Sequence, residues 1–269
     1  MKIAAAQIAC VVGDISANLK KIRDFASRAK AQAADWIVFP EMADTGYVMS
    51  VIRTHAAAWH EGAVPELRRI AQELSLGIVC GVSEREGAAI FNTQIVIAAN
   101  GEILGKYRKT HLFSPAPIEE HKCFTAGPGT VSLPTGQFRF GLSICYDLRF
   151  PELYRKLATA ESADVFVLSS AWPFPRVEHF RTLALARAIE NQSYLIAANR
   201  VGTDDGVTFC GSSAIIDPSG TLIAAASADH EELIVSEVSE ELLHEVRERM
   251  PIFAHRRPDV YGTDGACPS

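Results

Sequence analysis

Residues 139–152 read Arg-Phe-Gly-Leu-Ser-Ile-Cys-Tyr-Asp-Leu-Arg-Phe-Pro-Glu, an apolar run that breaks at Cys145 and restarts at Pro151. Arg139–Cys145 has the length and apolar content of a strand covered on both faces. Pro151 opens a helix over Pro151–Ala160, because the first helical position has no use for a backbone N–H. Cys145 therefore falls at a strand-to-helix turn. A second stretch, Asp35-Trp-Ile-Val-Phe-Pro-Glu41, has the same form, a short apolar strand (Asp35–Phe39) that ends in a polar residue. In layered α/β proteins such strand ends are where ligands sit.

Working outward, strand-like and helix-like segments alternate in both directions. Lys2–Ala9 reads as a strand. Ser16–Ala34 reads as a helix, with Leu19, Ile22, Phe25, Ala26 and Ala29 at helical spacing and Asp14 or Ser16 as N-cap. Pro65–Leu76 is a second helix and Gly77–Val82 a buried strand. Asn92–Ala99 and Ile103–Tyr107 flank Asn100-Gly101, a hairpin signal because both residues tolerate positive φ. Beyond Pro151–Ala160 come a strand at Asp164–Ser169, a helix at His179–Asn191 and strands at Tyr194–Asn199 and Ser213–Ile216. Asp217-Pro218-Ser219-Gly220 turns the chain into Leu222–Ala226, followed by a strand at Glu232–Val238 and a helix at Glu240–Arg249. This pattern predicts two sheets packed face to face with helices outside. No linker rich in Pro, Gly or Ser divides the chain, so a single domain over 1–253 is expected, with 254–269 as a C-terminal tail available for subunit contact.

Composition agrees with an ordinary globular protein: 269 residues, 48% hydrophobic and 22% charged. With 26 basic and 32 acidic residues the net charge is −6, which leaves no basic surplus to hold a nucleic-acid backbone. The apolar stretch Ile3 to Val12 superficially resembles a signal peptide. Gln7 interrupts it and no small-residue cleavage site follows Gly13-Asp14, so an opening strand is the better reading. No run of about 18 apolar residues is long enough to cross a membrane, and a cytoplasmic protein is expected. The six cysteines (10, 80, 123, 145, 210 and 267) contain no CxxC pair and are too sparse for a disulfide framework.

Three segments carry reactive side chains. A thiol at a strand-to-helix turn is exposed to converging backbone N–H groups, which favour a thiolate and an oxyanion; equally, Cys is among the most buried residue types and is usually structural. Glu41 at a buried strand end is a partly desolvated carboxylate with a raised pKa, suited to general-base work, or else an N-cap or a buried ion pair. Lys109 lies in Lys106-Tyr-Arg-Lys-Thr-His111. On a strand, Tyr107, Lys109 and His111 would share one face, which does not segregate the charges as a plain solvent-facing edge would.

Taken together, Phe-Pro-Glu41, Tyr-Arg-Lys109-Thr-His and Cys145-Tyr-Asp-Leu-Arg-Phe-Pro-Glu, in this order and spacing, resemble the nitrilase superfamily of carbon–nitrogen hydrolases. The resemblance extends from the opening Ala-Ala-Ala-Gln-Ile strand, through Gly101-Glu-Ile-Leu-Gly-Lys, to Arg257-Pro-Asp-Val-Tyr261. It implies a four-layer α-β-β-α sandwich, a homodimer or higher homo-oligomer, no cofactor, no metal, and a catalytic set of Glu41, Lys109 and Cys145. A further family glutamate, seven residues before a glycine, matches Glu120 ahead of Gly127, with Glu119 as its competitor. In the implied chemistry Glu41 takes the Cys145 proton and the thiol attacks an amide carbonyl. Lys109 and the Tyr146 N–H hold the oxyanion, ammonia leaves, and water activated by Glu41 and positioned by Glu120 releases the acid.

Ser170-Ala-Trp172-Pro-Phe-Pro-Arg176, Ala186-Arg-Ala-Ile-Glu190-Asn191 and Asn199-Arg-Val-Gly202 further resemble the amidase branch that includes bacterial omega-amidases, which hydrolyse the terminal amide of dicarboxylic monoamides. Arg149 and Arg176 could anchor a substrate carboxylate, or pair with Asp147, Glu152 or Glu178. Trp172 could line the pocket or belong to the core. The expectation is thus a thiol-dependent amidohydrolase acting on a small amide. Short-chain aliphatic amidase, nitrilase and N-carbamoyl amidohydrolase activities are the alternatives, and a non-catalytic scaffold on the same fold is the non-enzyme one. A Cys–His hydrolase using His111 and a metal hydrolase are weaker rivals, since the scheme needs no histidine and neither HxH nor HExxH occurs. A free Cys145 would require a reducing compartment.

Overall fold

Ile3 and Ala5 face one way from the first strand, Ala4 and Ala6 the other, and all four are fully buried. Ile3 and Ala5 join a cluster with Val38, Val79 and Val96 and with Leu142, Ile144, Val165 and Ile196 from the second half of the chain. Ala4 and Ala6 pack instead with Ile22, Phe25, Ala26, Leu67 and Ile70. Period-two alternation thus splits each apolar strand between a partner sheet and a helical layer, which is why the strands read as continuous apolar runs. Each fully buried aliphatic side chain contributes about 2 kcal/mol to this core.

The computed structural model describes residues 1–261. In chain order its strands are β1 (Lys2–Gln7), β2 (Trp36–Val38), β3 (Gly77–Glu86), β4 (Ala89–Ile97), β5 (Ile103–Arg108), β6 (Ser132–Thr135) and β7 (Phe138–Ile144). There follow β8 (Val165–Ser170), β9 (Tyr194–Asn199), β10 (Thr203–Asp204), β11 (Val207–Thr208), β12 (Ala214–Ile216), β13 (Leu222–Ala225) and β14 (Glu232–Glu237). The helices are α1 (Ile15–Ala31), α2 (Met49–His55), α3 (Val64–Leu74), α4 (Pro151–Thr159), α5 (Val177–Asn191), α6 (Glu240–Arg249) and α7 (Pro258–Tyr261).

One sheet has the order β14-β1-β2-β3-β4-β5 and the other β13-β12-β9-β8-β7-β6. Each carries three neighbouring parallel strands (β1-β2-β3 and β7-β8-β9) flanked by antiparallel ones. The two halves of the chain therefore share a parallel three-strand core, β1-β2-β3 in one sheet and β7-β8-β9 in the other. Helices α1 and α3 cover the first sheet, and α4 and α5 cover the second. The result is the four-layer α-β-β-α sandwich expected from the sequence. Polar groups also stitch the two sheets: Gln94 Nε2 donates to Ser169 Oγ (2.9 Å), and that hydroxyl donates to the Phe39 carbonyl (2.8 Å).

Most expected elements lie within a few residues of their observed bounds, and Asp14 is the N-cap of α1, its carboxylate accepting from the Ala17 N–H at 2.9 Å. The differences have identifiable causes. Strand β3 runs past Val82 to Glu86 because the buried Glu84 carboxylate is matched by Lys106 and Arg108 from β5 and by Thr93 from β4. Helix α2 and strands β6, β10 and β11 were not expected; they are short or weakly patterned. Strand β5 ends at Arg108, so Lys109 lies just beyond it rather than on it. Cys145 opens a 3-10 turn, Cys145–Arg149, that separates β7 from α4. Of the expected tail 254–269, residues 254–261 include α7; residues 262–269, with Cys267, lie outside the described residues.

Gly81 is the point where the first sheet touches the site. A Cβ there would lie 2.5 Å from the Glu41 Cα and 2.6 Å from the Pro40 carbonyl oxygen. Both are backbone atoms that have no rotamer to yield. Gly81→Ala should therefore destabilise the protein by about 2–3 kcal/mol, at the upper end of overpacking costs. Urea unfolding measures it, and a variant as stable as the parent would show that the two segments are free to separate.

Candidate active site

Four buried side chains from four separate segments meet at one end of the two sheets. Glu41 follows β2, Lys109 follows β5, Glu120 lies in the 3-10 turn Glu120–Lys122, and Cys145 follows β7. Glu41 and Glu120 have no solvent exposure, Lys109 has 1% and Cys145 6%. Lys109 Nζ donates to Glu41 Oε1 at 2.8 Å and to Glu120 Oε1 at 2.9 Å. Asn92 Nδ2 bridges the same two oxygens, at 2.6 Å to Glu41 and 3.0 Å to Glu120. The Ala171 N–H holds Glu41 Oε2 at 2.8 Å. Tyr47 Oη donates to Glu120 Oε1 at 2.7 Å, and the Phe113 N–H donates to Glu120 Oε2 at 2.6 Å. Of the two candidates for the second carboxylate, Glu120 is the one brought in, while Glu119 pairs with Lys122 at the surface.

Cys145 has φ +43°, in the left-handed region that a side chain bearing a Cβ rarely occupies. That bend turns the thiol out of the line of β7, as in nucleophile elbows. Asp147 fixes it: Oδ2 accepts the Ile144 N–H (2.8 Å) and the Tyr107 hydroxyl (2.8 Å), and Oδ1 contacts His111 Nδ1 at 2.7 Å. One buried carboxylate thereby ties the turn at Cys145 to the segment that delivers Lys109. His111 is committed to Asp147 and stacks on Phe150 with ring centroids 3.7 Å apart, outside the cleft.

The electrostatics follow from burial. Desolvation raises the Cys145 thiol pKa well above the ordinary value, and the Glu41 carboxylate adds to it. Desolvation also raises Glu41, against the Lys109 ammonium and with the help of Glu120. For Lys109, burial favours loss of the proton, yet the Glu120 and Glu41 carboxylates hold the group charged, with its pKa above the usual lysine value. At neutral pH the thiol is therefore protonated and needs a neighbouring base to become a nucleophile.

A narrow cleft opens over Cys145, walled by Tyr47, Phe113, Tyr146 and Trp172, with Arg149 and Arg176 lining it. The Arg149 guanidinium lies 4.7 Å from the Trp172 ring centroid and 3.4 Å from His179 Nδ1, and that of Arg176 lies 5.7 Å from the Phe113 ring centroid. Neither has a carboxylate partner among the described residues. Asp147 is taken by His111 and Glu178 by Arg181. Burial lowers the Arg149 pKa, and the like charge of Arg176 adds to the effect. Trp172 is both wall and core, 2% exposed, with its indole N–H donating to the Arg176 carbonyl at 2.9 Å. Cys123 faces the Met49 carbonyl at 3.6 Å, and Cys80 and Cys210 are buried.

Sequence reasoning missed Asn92, Tyr47, Phe113 and Ser170, and weighed Asp147 only as an arginine partner. For Asn92 a signal existed. Asn92-Thr93-Gln94 places three polar residues side by side in an otherwise apolar strand, and buried polar groups need partners.

An α-β-β-α sandwich with a thiol, a buried ammonium and two carboxylates at one end defines a hydrolase that acts on carbon–nitrogen bonds. The chain belongs to the carbon–nitrogen hydrolase family, whose model matches residues 2–248. It is 35% identical over 260 residues to the 2-oxoglutaramate amidase of Bacillus subtilis, covering 94% of this chain and 98% of that protein. Omega-amidase NIT3 of Saccharomyces cerevisiae is 30% identical over 279 residues, covering 97% and 94%. The yeast Nit3 crystal structure, assigned to branch 10 of the nitrilase superfamily, matches with a TM-score of 0.87 at 28% identity, covering 96% of each chain. An amidase from Nesterenkonia sp. AN1, with acrylamide added to its active-site cysteine, matches with a TM-score of 0.82 at 29% identity, covering 94% of this chain and 99% of that one. The protein is a thiol-dependent amidohydrolase. No helix among the described residues is long and apolar enough to cross a membrane.

Proposed function

We propose that this protein hydrolyses the terminal amide of a small amide bearing a carboxylate at its far end, an omega-amidase-like activity, with Cys145 as nucleophile. The observation that carries this reading is the pair of guanidinium groups lining the Cys145 cleft without a carboxylate of their own. Two half-buried cations lining one cleft without counter-ions favour an anion between them, and a dicarboxylic monoamide supplies that charge as substrate. The relatives named as 2-oxoglutaramate and omega-amidases support the same substrate class.

In this scheme Glu41 accepts the Cys145 proton as sulfur attacks the carbonyl carbon. The Lys109 ammonium and the Tyr146 N–H stabilise the oxyanion. Glu41 returns the proton to the leaving nitrogen, ammonia departs, and a thioester remains. Water then loses its proton to Glu41, attacks the thioester, and the acid and the thiol are released; Glu120 holds Lys109 and helps place the water. Arg149 and Arg176 bind the distant carboxylate throughout. The reading extends to residues 1–253 as one hydrolase domain, a cytoplasmic homo-oligomer, and a reaction without cofactor.

An ammonia-release screen of 2-oxoglutaramate, succinamate, aliphatic amides, nitriles and carbamoyl amino acids tests it. Arg149→Met and Arg176→Met should each raise KM for succinamate by about tenfold or more, the size of one lost charge-assisted contact, and change butyramide turnover far less. The aromatic walls favour a short aliphatic amidase as the second reading. Preference for uncharged amides, with both arginine variants indifferent to substrate charge, would establish that reading instead.

A further inference from the structure

Ser170 ends β8 and is fully buried, yet its hydroxyl has no hydrogen-bond partner. Buried hydroxyls without partners are rare because each forfeits its hydration, at a cost of about 1–3 kcal/mol. The surroundings make the omission more pointed. The next residue, Ala171, gives its N–H to Glu41 Oε2; the preceding one, Ser169, is bonded to Phe39 and Gln94; and the Ser170 carbonyl accepts from the Arg200 N–H at 3.1 Å. Among the buried side-chain atoms left without a partner (Asn92 Oδ1, Gln94 Oε1 and Arg200 Nε are others), the Ser170 hydroxyl is the one next in sequence to the Ala171 N–H that holds Glu41. The parallel register of β7 and β8, which pairs Ile144 with Ser169 and ends there, brings Ser170 beside the turn at Cys145. Burial raises the pKa of the Cys145 thiol, and a hydrogen bond from the Ser170 side chain works in the opposite direction, toward the ionised form.

We propose that Ser170 is a positioning residue for the nucleophile, its hydroxyl donating a hydrogen bond to the sulfur of Cys145 as that sulfur becomes negative. The inference rests on the reading of Cys145 as nucleophile. In the protonated state the thiol is a poor acceptor, and the Ser170 donor has little to bind. When Glu41 takes the thiol proton, the thiolate becomes a strong acceptor in a water-poor site and the waiting donor is used. Ser170 keeps its own proton throughout, so the proton inventory of the reaction is unchanged. The hydroxyl's lack of a partner at rest is then a form of preorganisation, with the interaction reserved for the charged state.

The test is alkylation of Cys145 by iodoacetamide, followed across pH in the parent, Ser170→Ala and Ser170→Thr, with the alkylated residue located by mass spectrometry. Ser170→Ala should alkylate about tenfold more slowly near neutral pH, with the midpoint of its pH profile moved upward, as expected for one hydrogen bond to a charged group. Its kcat should fall by a similar factor with KM unchanged. Its thermal midpoint should stay level or rise, because a partnerless buried hydroxyl has been replaced by a methyl group. Ser170→Thr, which keeps the hydroxyl, should restore most of the rate. A Ser170→Ala protein that alkylates like the parent overturns the inference and leaves the nucleophile reading standing. So does slow alkylation that threonine fails to restore, or that comes with a lowered thermal midpoint, since either points to packing. A parent enzyme not alkylated at Cys145 at all removes both readings.

Discussion

Cys145→Ala will reduce amide hydrolysis to background, a loss of about 10⁴-fold or more, while the protein keeps its fold. The size follows from what remains. Without sulfur no thioester forms, and Glu41 and Lys109 have no protein nucleophile to serve; water held in the cleft would have to attack an unactivated amide directly. The fold should survive because the lost atom is a single, mostly buried, neutral thiol. Its removal costs about 1 kcal/mol, in the range of small core truncations. Ammonia release and thermal unfolding on the same preparation separate the two effects. The companion variant is His111→Ala. His111 is turned to Asp147 and Phe150, so its removal should loosen the Cys145 turn and leave measurable turnover. Loss as complete as in Cys145→Ala would instead make His111 the base of a Cys–His hydrolase. Retained turnover in Cys145→Ala would end the thioester scheme.

How much of this site the sequence could disclose depends on which forces fix each residue. Glu41 and Cys145 were legible because each follows an apolar run too short to be anything but a buried strand, and a polar residue at such an end is conspicuous. The layered fold was legible for the same reason, since runs apolar on both faces need cover on both sides. Lys109 and Glu120 were reached through their resemblance to family motifs, because local pattern alone left a lysine among other charges and two adjacent glutamates. What separates Glu120 from Glu119 is tertiary: Tyr47, Asn92 and the Phe113 N–H converge on one of them, from sequence distances of 73, 28 and 7 residues. The same holds for β3, whose continuation through Glu84 depends on cations two strands away. Local propensity contains no trace of either. The freedom of Arg149 and Arg176 was equally hidden, since their candidate carboxylates are near in sequence and were diverted by His111 and Arg181.

The cluster around Lys109 leads to the second large effect, one that separates stability from chemistry. Lys109→Met keeps the length of the side chain and removes its charge, leaving Glu41 and Glu120 buried side by side with only Asn92, Tyr47 and two backbone N–H groups to hold them. Breaking a buried pair by deleting one partner typically costs about 3–5 kcal/mol, and here one cation serves two anions. Turnover should fall at least about 10³-fold, because the oxyanion loses its ammonium and Glu41 loses the charge that keeps it ionised. The pH dependence identifies the cause. In the variant the Glu41 carboxyl, already raised by burial, loses the cation that lowers it, so between the unfolded value of about 4.3 and its folded value the folded protein holds a proton that the unfolded chain releases. Stability must then be greater at about pH 5 and decline as pH rises through the folded value toward about pH 8, the direction set by linkage for a raised carboxyl pKa. Urea unfolding at the two pH values measures this, and an equal loss at both would mean that packing, not charge, is what Lys109 supplies. Lys109→Met/Glu120→Gln provides the internal check. Removing one of the two stranded carboxylates should recover part of the stability and none of the activity, because the second anion was held in place by Lys109 while the chemistry needs the cation itself.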